Sequence, residues 1–339
     1  MTIAALVIAT IAASWLLTAA VRRYALARQV LDHPNERSSH TLPTPRGGGV
    51  AIVVAFCAGL LLLVSTGQVQ PRGAWAVLGA GAWVAVVGFI DDHRHIAARW
   101  RLLAHFVAAG WALAWLGGLP PLPLAGAAVD LGLFGAALTA VFLVWLLNLY
   151  NFMDGIDGIA GIEAITVALP GAALWWLAAG STDAIVPVLV AAAALGFLLW
   201  NFPPARIFMG DAGSGFLGVV LGVLAVWSAH QQPQLFWSWV ILLGAFIVDA
   251  TVTLLRRLYR RERVYEAHRS HAYQYASRLH GEHRVVTLAV GAINLLWLAP
   301  LAALVAFGWL DGAAGVAIAY GPLVALAYRY KAGARELQV

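Results

Sequence analysis

The sequence predicts an all-α fold, a polytopic transmembrane helical bundle, and three observations predict it. Of 339 residues, 62% are hydrophobic and 11% charged, with a mean hydropathy of +0.81, a composition no soluble core accommodates. Apolar runs of membrane length, about 20 residues each, recur at eleven places: about 3–21, 48–66, 73–90, 102–118, 134–150, 159–179, 184–200, 213–229, 235–255, 286–306 and 313–328. With the N-terminus outside, 20 of the 21 Lys and Arg residues fall on the loops and tail that face the cytoplasm, and Arg72 alone lies outside. Basic residues are retained on that side, so an odd number of spans, about eleven, is expected, with the C-terminus cytoplasmic. Residues 1–339 then form a single integral membrane domain, with no soluble domain left over.

The first segment has no basic residues before it and is followed directly by Arg22 and Arg23, so it reads as a retained helix and not a removed signal. The one cysteine, Cys57, lies inside the second span. It excludes an intramolecular disulfide and reads as packing. The formal charge of +5 records the basic cytoplasmic face, which suits anionic lipid heads and nucleotide phosphates and calls for no nucleic acid.

Chemistry is expected in five cytoplasmic loops, about 22–47, 91–101, 148–161, 201–214 and 256–285. The first carries Pro34, Pro43, Pro45 and the run Gly47 to Gly49; it is too broken for a long helix, and the glycines allow backbone N–H groups to approach a phosphate. A solvated basic connector explains it equally well. At the end of the third span stand Asp91 and Asp92. Adjacent carboxylates there share a metal, or one serves as base beside a neighbour of raised pKa; pairing with nearby arginines is the plain alternative. Acids at a helix C-terminus oppose the helix dipole, which weakens that alternative.

The fifth span ends in Asn148, Asn151, Asp154 and Asp157 at intervals of three, with Gly155, Gly158 and Gly161 among them. On an ideal helix the four polar groups would fan over about half the circumference. They converge only if the helix breaks, which the glycines permit and a wet cavity tolerates. After the seventh span, Phe208-Met209-Gly210-Asp211 precedes a new helix; Asp211 suits metal ligation or capping of free N–H groups, and the two are compatible. Phe208 suits stacking on a base, although an interfacial aromatic is commonly an anchor. The longest loop holds five arginines between Arg256 and Arg263, then His268, Arg269 and His271. Arginines attract phosphate heads, and histidines three apart share one side of a helical turn. His280 and His283 form a second such pair, and two His-x-x-His pairs without cysteine do not make a zinc site. Asp249 and Glu163 are intramembrane acids outside this set, each explicable by pairing with an arginine near the surface.

Asp91-Asp92, Asn148-x-x-Asn151-x-x-Asp154-Gly155-x-Asp157-Gly158, Phe208-Met209-Gly210-Asp211-x-Gly213-Ser214 and the histidine loop, in that order and over nearly the whole chain, resemble the polyprenyl-phosphate N-acetylhexosamine-1-phosphate transferases, glycosyltransferase family 4. The resemblance implies a Mg2+-dependent exchange, with Mn2+ as a substitute. Undecaprenyl phosphate attacks the β-phosphorus of a UDP-N-acetylhexosamine, releasing UMP, at the cytoplasmic face of a bacterial inner membrane. It implies that Asp211 and Asp154 ligate the metal, that Asp154 and Asp157 shape the nucleotide pocket, and that Asp91 or Asp92 assists the lipid phosphate. His268, His271 and Arg269 would hold phosphates, Phe208 would stack on uracil, and Asn148, Asn151, Arg37, His40 and Arg46 would bind substrate. It leaves room for a homodimer.

The muramoyl branch of that family carries a lysine after its paired aspartates and adjacent histidines. Here His95 follows the pair, and His268 and His271 are separated. His268-Arg269-Ser270-His271-Ala272-Tyr273-Gln274 and Asp32-x-Pro34-Asn35-x-Arg37-Ser38-x-His40 look more like the O-antigen-initiating branch, which implies a 6-deoxy sugar, UDP-N-acetylfucosamine or UDP-N-acetylquinovosamine. UDP-N-acetylglucosamine is the alternative within the family. A transporter or lipid flippase is the alternative from another class; it predicts mid-membrane carboxylates and an internal repeat.

Overall fold

The computed structural model describes residues 2–34, 42–94, 96–124, 126–262 and 268–335. Helices stand at all eleven apolar segments: α1 (Ile3–Ala27), α2 (Gly49–Ser65), α3 (Pro71–His93), α4 (Ala98–Leu116), α5 (Gly132–Met153), α6 (Ile159–Ala179), α7 (Ile185–Asn201), α8 (Asp211–Ala229), α9 (Gln234–Leu242) with α10 (Gly244–Tyr259), α12 (His283–Ile293) with α13 (Ala299–Ala306), and α14 (Gly312–Arg329). A short α11 (Ala272–His280) lies in the histidine loop. Among the described residues, seven helical stretches are long and apolar enough to cross a membrane; α9 with α10 makes an eighth, and α2, α4 and α14 occupy the remaining segments. The protein is an all-α, multi-pass membrane bundle.

The ninth segment departs from the single span expected at about 235–255. It is bent by 69° between α9 and α10. Gly244 marks the bend, where a Cβ would lie 2.8 Å from the Tyr320 ring of α14. Average hydropathy registers apolar length, not direction. The tenth segment is also irregular, since the π-helical stretch Asn294–Leu298 separates α12 from α13.

At the centre stands α8, buried at every position from Ala212 to Ala229 and flanked by α3 and α5. In lipid, apolar side chains gain little by leaving the tails, so helices associate through close backbone approach at small residues. A Cβ on Gly218 of α8 would lie 2.7 Å from Leu147 Cα of α5, and one on Gly88 of α3 would lie 2.6 Å from Ala212 N. Large apolar side chains such as Ile8, Leu133 and Trp176 are exposed, as a lipid-facing surface requires.

The C-terminal ends of α3 and α5 and the N-terminal end of α8 meet at one end of the bundle. The predicted cytoplasmic loops gather there: Arg22 donates to the carbonyl of Arg206, Arg46 to that of Asp92, and Tyr273 Oη to that of Phe152. Strands β1 (Leu31–Asp32) and β2 (Thr44–Pro45) pair antiparallel, bringing the two ends of the first loop together. At the opposite end β3 (Leu122–Leu124) pairs with β4 (Ala127–Val129).

Candidate active site where helix ends meet

The N-terminus of α8 exposes backbone N–H groups and the positive end of the helix dipole. Gly210, with φ 79°, occupies the capping position and has no side chain to offer. The cap comes from another helix: Asp92 Oδ1 accepts from Asp211 N at 3.3 Å and Asp92 Oδ2 from Ala212 N at 3.4 Å. Of the two roles open to Asp211, capping therefore falls to another residue. Asp211 is its first residue, and its Oδ1 instead accepts from Asn151 Nδ2 at 2.8 Å.

The paired aspartates therefore part company. Asp91 is clamped, with Oδ2 2.6 Å from Arg101 Nη1 and Oδ1 accepting from Ile96 N at 2.7 Å. It ties the α3–α4 turn, as the arginine-pairing alternative anticipated. The glycine run of the first loop also differs from expectation: the amides of Gly48 and Gly49 donate to the carbonyls of Phe208 and Met209 at 2.9 and 2.8 Å. Backbone carbonyls, not a phosphate, take up those two donors, because Gly48 and Gly49 open α2 and its free N–H groups are capped by the 208–209 segment.

The break after α5 is where the glycines placed it. The helix stops at Met153, Asp154 is its C-cap, and α6 begins at Ile159. Gly158 sits at φ 76°, a left-handed conformation natural to glycine, and its N–H donates to Asn201 Oδ1 at 3.0 Å. The Asp154 carboxyl is held well above the usual carboxylate range, first by burial and then by the charges of Asp211, Asp92 and Asp157. Such a group needs a proton or a cation. Beside Asp211 lies a crevice of about 20 Å³ lined by Arg101, His105, Asn148 and Asn151, room for one water-sized occupant. Asn148 Nδ2 lies 3.2 Å from His105 Nδ1 and donates to the Val144 carbonyl.

Asp157 faces a different space. Its Oδ2 accepts from Ala205 N at 2.9 Å, and His283 Nδ1 lies 3.3 Å from Oδ1. With Phe208, Thr44, Pro203, Pro204 and Arg284 it lines a groove of about 540 Å³. That volume accommodates a nucleoside-sized ligand.

The histidines abut the same centre without lying on a common helical turn. They precede α11; His271 is its N-cap, and the rings of His268 and His271 stack at 4.9 Å. Asp249 of α10 organises them. It accepts from Ala272 N and Tyr273 N, both at 2.9 Å, and lies 3.3 Å from His271 Nδ1. Tyr273 Oη then reaches the Phe152 carbonyl at 3.0 Å, setting α11 against the Asp154 turn. Arg269 shares this loop, and its carbonyl accepts from Arg278. Arg37 and His40 lie outside the described residues.

Tyr273, His283 and Arg101 were given no individual role from sequence, and Asp249 was left outside the core set. Asp249 carried a signal as an intramembrane acid. The partners of His283 and Arg101 are visible only once the helices are packed.

Among the described residues no three His, Cys, Asp or Glu side chains stand at ligating spacing. Magnesium commonly takes one or two carboxylates and completes its shell with water and substrate phosphates. Hard oxygen donors and a carboxyl burdened by like charge suit that ion, with Asp211 and Asp154 as the groups that would hold it.

A multi-pass bundle that crowds acid at one end, beside a groove of nucleoside size, has the build of an integral membrane enzyme. The family model for glycosyl transferase family 4 matches residues 74–229. A Bacillus subtilis protein described as a probable undecaprenyl-phosphate N-acetylglucosaminyl 1-phosphate transferase is 27% identical over 83% of this chain and 79% of its own length. The decaprenyl-phosphate N-acetylglucosaminephosphotransferases of Mycolicibacterium smegmatis and Mycobacterium tuberculosis are each 29% identical, over 90% and 86% of this chain and 79% and 78% of theirs. Over its middle the chain thus matches glycosyl transferase family 4, and along most of its length it is similar to enzymes described as polyprenyl-phosphate N-acetylglucosamine-1-phosphate transferases.

Proposed function

We propose that this protein transfers an N-acetylhexosamine-1-phosphate from a UDP-sugar to undecaprenyl phosphate, releasing UMP, on the cytoplasmic side of a bacterial inner membrane. One observation carries the reading: Asp92, Asp154, Asp157 and Asp211, from four distant stretches, act on one another electrostatically at one end of the bundle, beside the groove that Phe208 lines.

An oxygen of the lipid phosphate attacks the β-phosphorus. One P–O bond forms, the bond to the oxygen bridging the α- and β-phosphates breaks, and UMP departs with its electron pair. Such a reaction depends on positioning and charge neutralisation. Magnesium, held by Asp211 and Asp154, supplies that neutralisation when bound. Phe208 stacks on the uracil and Asp157 walls the nucleoside groove. Asp91 or Asp92 assists the lipid phosphate; the first holds Arg101 and Ile96 N, and the second caps α8. Asp249 holds Nδ1 of His271, which leaves Nε2 to contact phosphate together with His268 and Arg269.

For the sugar, the spaced histidines and the first loop favour a 6-deoxy N-acetylhexosamine and a role in starting O-antigen synthesis. The names of the relatives favour N-acetylglucosamine, the second reading. The test is UMP release by purified protein given undecaprenyl phosphate, magnesium and a panel of UDP-N-acetyl sugars. Turnover with UDP-N-acetylfucosamine or UDP-N-acetylquinovosamine supports the first reading; turnover with UDP-N-acetylglucosamine alone removes it.

A further inference from the structure

One face of α12 is given over to holding α6. His283, Thr287, Gly291 and Asn294, spaced by four, four and three residues, lie on one side of a helix. His283 meets the Asp157 carboxylate, and Thr287 Oγ1 donates to the Asp157 carbonyl at 2.8 Å. A Cβ on Gly291 would lie 3.0 Å from Ile162 Cγ2. Asn294 Nδ2 donates to Glu163 Oε2 at 2.7 Å and to Thr166 Oγ1 at 2.8 Å. The top of this strip fixes the turn that carries Asp154 and Asp157; its foot is a carboxyl in the middle of a membrane protein.

Glu163 and Asn294 are both fully buried, and Asn294 opens the π-helical stretch, a device that re-aims side chains and recurs at functional sites. Glu163 Oε1 and Asn294 Oδ1 have no hydrogen-bond partner among the described residues. They are the second atoms of two groups already joined through their first atoms. Both are acceptors, and an ionised Glu163 leaves them facing a loss that neither can relieve. Turning the amide over does not help. It would set Oδ1 against Glu163 Oε2 and against the Thr166 hydroxyl, which already donates to the Ile162 carbonyl at 2.7 Å. The ionisable groups that feel the Glu163 charge, Tyr150 and Tyr320, donate their hydroxyls to the carbonyls of Ala160 and Val240, both at 2.7 Å. One added proton resolves everything: placed on Oε1, it supplies the donor that Asn294 Oδ1 lacks.

We propose that Glu163 is carried as the neutral carboxylic acid and closes a two-bond acid–amide pair with Asn294, making it a positioning residue that pins α6 and so fixes the Asp154–Asp157 turn. The Glu163→Gln side chain reproduces both bonds, because its amide donates where the acid O–H did.

The test is infrared spectroscopy of the purified full-length protein across a pH titration, alongside thermal melting and UMP release, for wild type, E163Q, E163A and N294L. The expected result is a protonated-carboxyl stretch at neutral pH that disappears in E163Q, while E163Q keeps wild-type melting, turnover and pH profile. E163A and N294L lose melting temperature and about ten- to a hundredfold in turnover, because the turn is displaced. The absence of a band specific to Glu163, or an E163Q protein that behaves like E163A, overturns the proposal. The spectroscopic and melting results stand whether or not sugar-phosphate transfer is the reaction, so a silent assay with an intact band would count against the function and not against the pair.

Discussion

Two ends of this bundle each draw a carboxylate out of bulk water, Asp183 buried and Asp154 half-buried, and they treat it in opposite ways. Away from the candidate site, Asp183 accepts from Gln70 N at 2.8 Å and from Gln231 Nε2 at 2.7 Å, and Gln231 in turn accepts from Trp175 Nε1 at 2.8 Å. Each oxygen has a donor. At the other end Asp154 sits among three further aspartates whose charges all push its carboxyl toward the proton. A satisfied buried acid is a structural clamp; a crowded one stores electrostatic cost that a proton or a bound cation relieves. The identity of the neighbours separates the two.

That contrast is broken or sharpened by substitution. The largest effect is expected at Asp154: Asp154→Asn should lower turnover by about 10³-fold, the scale lost with one preorganised charge-stabilising group. Its melting temperature should hold or rise, since a like charge is removed. A loss of melting temperature with turnover intact would make Asp154 another Asp183. Asp249 is the intermediate case, a satisfied acid at the site end. Asp249→Ala should destabilise the protein by about 1–3 kcal/mol through two orphaned N–H groups. It should also cut turnover by about tenfold or more as His271 loses its partner, which melting and UMP release measure together.

Melting against pH probes the same difference without substitution. Because the folded Asp154 carboxyl titrates above its unfolded value, its contribution to stability is complete below the ordinary carboxylate range and is lost as pH rises through the raised value. In chelator the melting temperature should fall over that rise, and magnesium should restore it. A melting curve indifferent to magnesium would contradict the cation reading. The smallest functional effect is expected at Asp183: Asp183→Ala should cost about 1–3 kcal/mol of stability and leave turnover unchanged.

Much of this was legible in sequence, for identifiable reasons. Apolar length located every helix but α11, and Gly155 and Gly158 located the break that frees Asp154 and Asp157 from a helical fan. The bend at Gly244 was not legible, because it depends on the Tyr320 ring from α14. Nor was the exchange of roles between Asp211 and Asp92. A carboxylate before a helix reads as its cap, and only packing reveals that a residue 119 positions away does that work. Asp91 and Asp92 are adjacent letters with different fates because Arg101, one turn into α4, reaches only the first. The α12 strip was silent for the same reason: His283 and Thr287 acquire meaning from Asp157, which lies on another helix.

The most direct test of the central claim is UMP release as magnesium is titrated, with wild type and Asp211→Asn side by side in the presence of undecaprenyl phosphate and an accepted UDP-sugar. Saturable dependence on the cation in the wild type, with release in the variant lowered by about 10²- to 10³-fold, is the predicted result. Release without any divalent cation, or equal release by the variant, would contradict it.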